Sequence, residues 1–169
     1  AGTVYYPNGI RCPFAVLSLG IEQAVTAGPL GNFEFGGLPD GAKYTVFAIS
    51  PGYSPSVVPG IEAGTEGLQI SLHKNVVITG QVVDAESRKP VPEFSVQYRP
   101  LIQIPGEMSA FFENDPTPVS NPEGRFRLEK IPAIPMEISV AAAGYIPWST
   151  HLESLAEGNP APLLAELDA

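Results

Sequence analysis

"GNFEFGGLP" at residues 31–39 and "GRFRLEKIP" at 124–132 are two versions of one phrase in a single chain. Each opens on a glycine, places a phenylalanine two residues on, and closes on an aliphatic residue followed by proline. The glycine marks a turn, because a positive φ costs little without a β-carbon. The phenylalanine begins the inward face of a strand. The proline ends that strand, since it has no N–H for the ladder. These duties are structural, and none of them calls for a substrate.

The two halves also match on either side of this phrase. "GTV" at 2–4 answers "GQV" at 80–82, "CPFAVLSL" at 12–19 answers "VPEFSVQY" at 91–98, and "YTVFAISPGY" at 44–53 answers "MEISVAAAGY" at 136–145. Seven residues separate Gly31 from Leu38 and Gly124 from Ile131; nine separate Tyr44 from Tyr53 and Met136 from Tyr145. Matches in one order at fixed spacing predict a tandem repeat of one β-module, over residues 1–73 and 76–169. Period-two alternation supports this. Ala15, Leu17 and Leu19 share a face, as do Tyr44, Val46 and Ala48, then Leu68, Ile70 and Leu72. Phe94, Val96 and Tyr98 do the same in the second half, as do Met136, Ile138 and Val140, then Leu163, Ala165 and Leu167. Turn residues bound each run. No stretch of ten residues has a helical period; "STHLESLAEG" at 149–158 predicts at most a turn or so of helix. The expected fold is all-β: two tandem antiparallel β-sandwiches of seven or so strands each.

Composition narrows the function classes. The chain has 169 residues with 18 acidic against 9 basic side chains, a formal charge of −9. Nucleic acid and anionic membrane surfaces would repel it. With 17 glycines and 19 prolines but 44 % hydrophobic residues, the chain is rich in turns rather than disordered. No apolar run reaches the roughly 18 residues of a membrane span. "LHKNVVITG" at 72–80 holds no Gly/Ser/Pro linker, so the modules are expected to follow directly, with limited freedom at His73, Lys74 and Asn75. The first and last strands lie close to the ends of the sequence. This pattern is expected of a piece of a longer extracytoplasmic protein or of a chain without its signal peptide.

The phrase G-x-V … P-x-x-x-x-V/L … G-x-F-x-F/L-x-x-L/I-P … Y-x-V-x-A … GY resembles the carboxypeptidase regulatory-like domain, twice over. The resemblance implies the transthyretin-like, prealbumin-like sandwich. It also implies a non-catalytic accessory module of an extracytoplasmic bacterial protein, periplasmic, cell-surface or secreted. Such a module would act as spacer or docking domain for other domains of the same polypeptide or a cell-envelope partner. A carbohydrate- or peptide-binding module using loops of the second domain is the alternative. Two neighbouring families with chemistry fit less well. The transthyretin-like hydrolase of 5-hydroxyisourate needs histidines in its strands and a Tyr-Arg-Gly-Ser tail, where this chain has "TVYY", "QVVD" and "LLAELDA". The collagen-adhesin B-type repeat needs a core acid before the GY turn for its Lys–Asn isopeptide bond, where this chain has "FAIS" and "VAAA".

Candidate site residues are few. Cys12 is alone, without histidine nearby in sequence, and reads as a small buried side chain after a turn. His73 at the end of a strand and His151 in the loop after the second GY read as surface histidines. Glu113, Asn114 and Asp115 could offer oxygens to a cation, but Pro116 follows and no glycine supplies the loop turn, so no metal, cofactor or catalytic residue is assigned. The second half exceeds the first at residues 99–122, "RPLIQIPGEMSAFFENDPTPVSNP". Its apolar side chains must either pack on the module or meet a partner. In the partner reading Phe111 and Phe112 are the anchors, joined by Trp148 if the loop after Tyr145 lies at the same end. Pro105, Pro116, Pro118 and Pro122 keep the insert from forming a regular central strand.

Overall fold

The computed structural model describes residues 1–20, 23–104 and 106–169. It divides into two compact units, Ala1–Asn75 and Val76–Ala169. The first unit has strands β1 (Gly2–Tyr5), β2 (Val16–Ser18), β3 (Ala24–Thr26), β4 (Asn32–Phe33), β5 (Lys43–Ile49), β6 (Ser56–Glu62) and β7 (Leu68–Ser71). The second has β8 (Val76–Asp84), β9 (Glu93–Pro100), β10 (Thr117–Ser120), β11 (Arg125–Ile131), β12 (Met136–Ala141), β13 (Trp148–Leu152) and β14 (Leu163–Leu167). Short 3-10 turns lie at Gly106–Phe111 and Leu155–Glu157.

Each unit consists of a three-stranded and a four-stranded sheet, and the strand orders correspond. They run β4-β1-β7 and β3-β2-β5-β6 in the first unit, and β11-β8-β14 and β10-β9-β12-β13 in the second. The register corresponds too. Gly2 stands opposite Phe33 and Leu68, and Gly80 opposite Phe126 and Leu163. Leu17 pairs with Ala48, and Val96 with Val140. One pairing departs from an all-antiparallel sandwich: β1 runs parallel to β7 and β8 to β14. These are the first and last strands of their units, so the intervening chain makes the crossover that parallel neighbours need.

The repeated glycines have one physical cause. Gly31 and Gly124 have φ of 72° and 67°. A β-carbon on Gly31 would lie 2.8 Å from the Val4 carbonyl oxygen and 3.0 Å from that of Cys12; on Gly124 it would meet the carbonyls of Val82 and Val91. At Gly80 the ring of Phe126 lies across the backbone, 2.5 Å from where a β-carbon would be, and Phe33 crosses Gly2 in the same way at 2.8 Å.

Alternation places the cores. Val4, Leu17, Phe33, Val46, Ala48 and Ile70 are buried in one cluster in the first unit, with Cys12 and Leu72. Ile78, Val82, Val96, Phe126, Ile138 and Ala165 are among the buried residues of the second. Each large apolar side chain withdrawn from water in this way stabilises the fold by about 1.5–3 kcal/mol. Among the described residues the buried polar side chains are serines, Ser18, Ser50 and Ser54.

Several sequence expectations need correction. Four edge strands, β3, β6, β10 and β13, lie outside the period-two runs read from the sequence. β6 contains Pro59 and Gly60 and a register shift, which an edge tolerates because one side of its backbone needs no partner. Residues 148–152 form β13 instead of joining a helical turn, and the turn itself is confined to Leu155–Glu157. Pro132 does follow the last residue of β11, but β4 stops at Phe33, well before Pro39. His151 lies in β13, not in a loop.

Candidate functional site

Asn114 anchors the end of the insert to its unit. After β9 the chain leaves the sheet and forms the 3-10 turn. At Asn114 it returns: Asn114 Oδ1 accepts the Tyr98 N–H at 2.7 Å, and its Nδ2 donates to Thr117 Oγ1 at 3.0 Å. Gln97 Nε2 donates to the Asn114 carbonyl at 3.1 Å. Of the three residues weighed as cation ligands, Asn114 is therefore occupied in pinning the loop. β10 then rejoins as an edge strand, with Pro118 opposite Ser95. Pro105 lies outside the described residues.

The structure sets the three predicted partner residues apart. Phe112 is fully buried, at 0 % exposure, whereas Phe111 is 52 % exposed. Of the other apolar insert residues, Met108 is buried and Leu101 is exposed at the threshold between sheet and loop. Trp148 is half-buried on β13, opposite Val140, at the sheet edge remote from β10. The insert leaves β9 beside Met136, four residues along β12 from the tryptophan's partner, or roughly 13 Å at strand rise.

The outer face of the second unit's four-stranded sheet carries its polar chemistry. Ser95 and Gln97 of β9, Ser139 of β12 and Ser149 of β13 floor a shallow trough of about 440 Å³. At its end Arg99, Glu137 and His151 stand abreast on three neighbouring strands. Arg99 donates to Glu137 Oε1 at 2.8 Å, and His151 Nε2 lies 3.3 Å from Oε2. The Arg99 hydrogen bond, helped by His151, holds the Glu137 carboxyl below its ordinary range against the opposing effect of partial burial. An acid so held stays ionised near neutral pH and is a poor proton donor. The sequence reading missed this row because its members sit 38 and 14 residues apart and meet only through register.

A second polar cluster sits at equivalent places in both units, with different chemistry. Tyr145 donates its hydroxyl to Asp84 Oδ2 at 3.0 Å. The Ser87 backbone N–H is the foremost cause of the lowered Asp84 pKa, and the Asp84 bond raises that of Tyr145. In the first unit the matching residues Tyr6 and Tyr53 are in ring contact, tilted by 38° with centroids 5.1 Å apart. Cys12 is buried beside them, its Sγ 3.6 Å from Ser50 Oγ, and its hydrogen bond with Tyr6 raises that phenol's pKa. Neither arrangement sets a nucleophile beside a base and an orienting third group.

No family model matches the chain, and no curated protein matches it. Among solved structures it is similar to the Bacillus anthracis TIE protein, at 17 % identity and a TM-score of 0.46, over 99 % of this chain and 33 % of that one. It is also similar to a streptococcal ancillary pilin, at 15 % identity and a TM-score of 0.41, over 99 % of this chain and 60 % of that one. A variant of the shaft pilin SpaA from Lactobacillus rhamnosus GG matches at 12 % identity and a TM-score of 0.40, over 99 % of this chain and 96 % of that one. The chain thus spans a third of the TIE protein and three fifths of the ancillary pilin. No helix among the described residues is long and apolar enough to cross a membrane.

Proposed function

We propose that the chain is a tandem pair of carboxypeptidase regulatory-like modules, a non-catalytic accessory part of a larger extracytoplasmic bacterial protein. It spaces that protein's other domains or docks them to a cell-envelope partner. The observation that carries this reading is the correspondence of the two units in strand order, register and glycine contacts, which are features of a scaffold. The two polar clusters described above are engaged internally: Glu137 with Arg99 and His151, Asp84 with Tyr145. The test is to challenge the purified chain with ester, peptide and glycoside substrates, and to delete it from the parent protein. The expected outcome is no turnover, with the remaining domains active but mislocated or poorly presented. Turnover that disappears in Glu137→Gln would overturn the reading.

Glycan or peptide binding by the second unit is the second reading. It is favoured by the trough, whose small hydroxyl side chains leave room and hydrogen-bonding capacity for a polyhydroxylated chain. Array binding lost in Ser139→Trp would support it.

A further inference from the structure

The two units differ at one end of the sandwich. In the second unit Ile131, Met136 and Ile138 are fully buried there, and the connection between β13 and β14 supplies a further buried side chain, Leu155 at 2 % exposure. Of the matching residues of the first unit, Val46 is buried but Leu38 and Tyr44 are only half-buried. Two local causes are visible. β4 has 2 residues where β11 has 7, so the three-stranded sheet stops short. The connection from β6 to β7 is only residues 63–67, with Gly64 and Gly67, and it has no counterpart of Leu155.

The result is a slot of about 140 Å³ between the sheets of the first unit. Leu19, Phe35, Leu38, Tyr44, Ile61 and Leu68 line it, and the buried Phe33 and Val46 close its floor. Its volume is close to the roughly 150 Å³ of a protein cavity that accepts a benzene ring. Three carboxylates, Glu34, Glu62 and Glu66, stand at its mouth. Lys43 faces Glu62 at 3.7 Å, while among the described residues Glu34 and Glu66 have no cationic partner.

We infer that this slot is a docking site for a partner peptide that inserts one phenylalanine or leucine side chain and flanks it with lysine or arginine. An acyl chain is too long for the volume, and an anionic headgroup would meet the carboxylates. A second copy of this acidic chain would be repelled at the same rim. Apolar insertion supplies the affinity, and the glutamates select the flanks. The site goes beyond the scaffold reading and does not depend on the trough of the second unit.

The experiment is fluorescence anisotropy of the full chain with a labelled Gly-Lys-Lys-Phe-Lys-Lys peptide at low salt. Saturable binding is expected, weakened about tenfold when the peptide's Phe becomes Ala, the equivalent of about 1.4 kcal/mol. The double change Glu34→Gln and Glu66→Gln should weaken it about threefold or more without moving the melting temperature, since both side chains are on the surface. Ile61→Trp, which fills the slot, should abolish it. No saturable binding at millimolar peptide overturns the proposal, as does indifference to either the Phe→Ala or the glutamate changes. Equal affinity for phenethylammonium would make the slot a small-amine site. Self-association lost in Ile61→Trp would assign it to a second copy. Either result overturns the peptide proposal.

Discussion

At the scale of single residues, the glycines do what no other residue can. Gly124 combines φ of 67° with backbone carbonyls where a β-carbon would sit, and Gly31 repeats the combination. Gly124→Ala and Gly31→Ala are each expected to cost about 1–3 kcal/mol or more, from left-handed strain with added overlap. Calorimetry of the two variants checks this, and a change within experimental scatter would contradict the close approach. The carboxylates set the acid side of stability. Glu137 and Asp84 are both lowered from their ordinary values of 4.5 and 3.8. A depressed folded-state pKa contributes stability that is present above the unfolded value and is lost as pH falls through the folded one. The melting temperature is therefore expected to fall below about pH 4.5, with a shallower fall in Glu137→Gln. Parallel profiles for the two proteins would mean that the Arg99 contact does not hold the acid.

Among the elements, the insert and the edge strands decide the differences between the units. The insert is one loop with two kinds of aromatic side chain. Phe112, at 0 % exposure, is a packing residue, and Phe112→Ser is expected to cost about 3–5 kcal/mol. Phe111, at 52 % exposure, should change stability by less than about 0.5 kcal/mol when replaced by serine. Urea melts of the single variants separate the two, and equal losses would contradict this division. Asn114→Ala is expected to loosen the loop without unfolding the sheet, and faster proteolytic cleavage between residues 101 and 116 would report it. Its carboxamide joins the end of the loop to β9 through Tyr98 and to the start of β10 through Thr117.

For the whole molecule, the division at Asn75/Val76 predicts that residues 1–75 and 76–169 fold when expressed separately. Circular dichroism should show β-structure in each fragment; a fragment lacking it would mean that the unit is not autonomous. The first unit is the less closed of the two, with Leu38, Tyr44 and Ile61 half-exposed around its slot. Its fragment is expected to melt at the lower temperature.

The order of turns, strands and core residues was legible in the sequence because each is set locally. Period-two alternation selects a face, glycine permits positive φ, and proline interrupts a ladder. The glycine turns at Gly31 and Gly124, each followed two residues on by a buried phenylalanine, were readable in this way. Edge strand β6 was illegible because a strand paired on one side need not alternate cleanly, and β13 because the half-buried position between Trp148 and Leu152 is the polar Thr150. The site chemistry was illegible for a different reason. Arg99, Glu137 and His151 meet only when β9, β12 and β13 adopt one register, and nothing near any of them in sequence announces the others. Phe111 and Phe112 are chemically identical neighbours, so only the path of the chain could bury one and expose the other. The open slot of the first unit was decided by a short β4 and a short connection after β6, through what they leave uncovered in three dimensions.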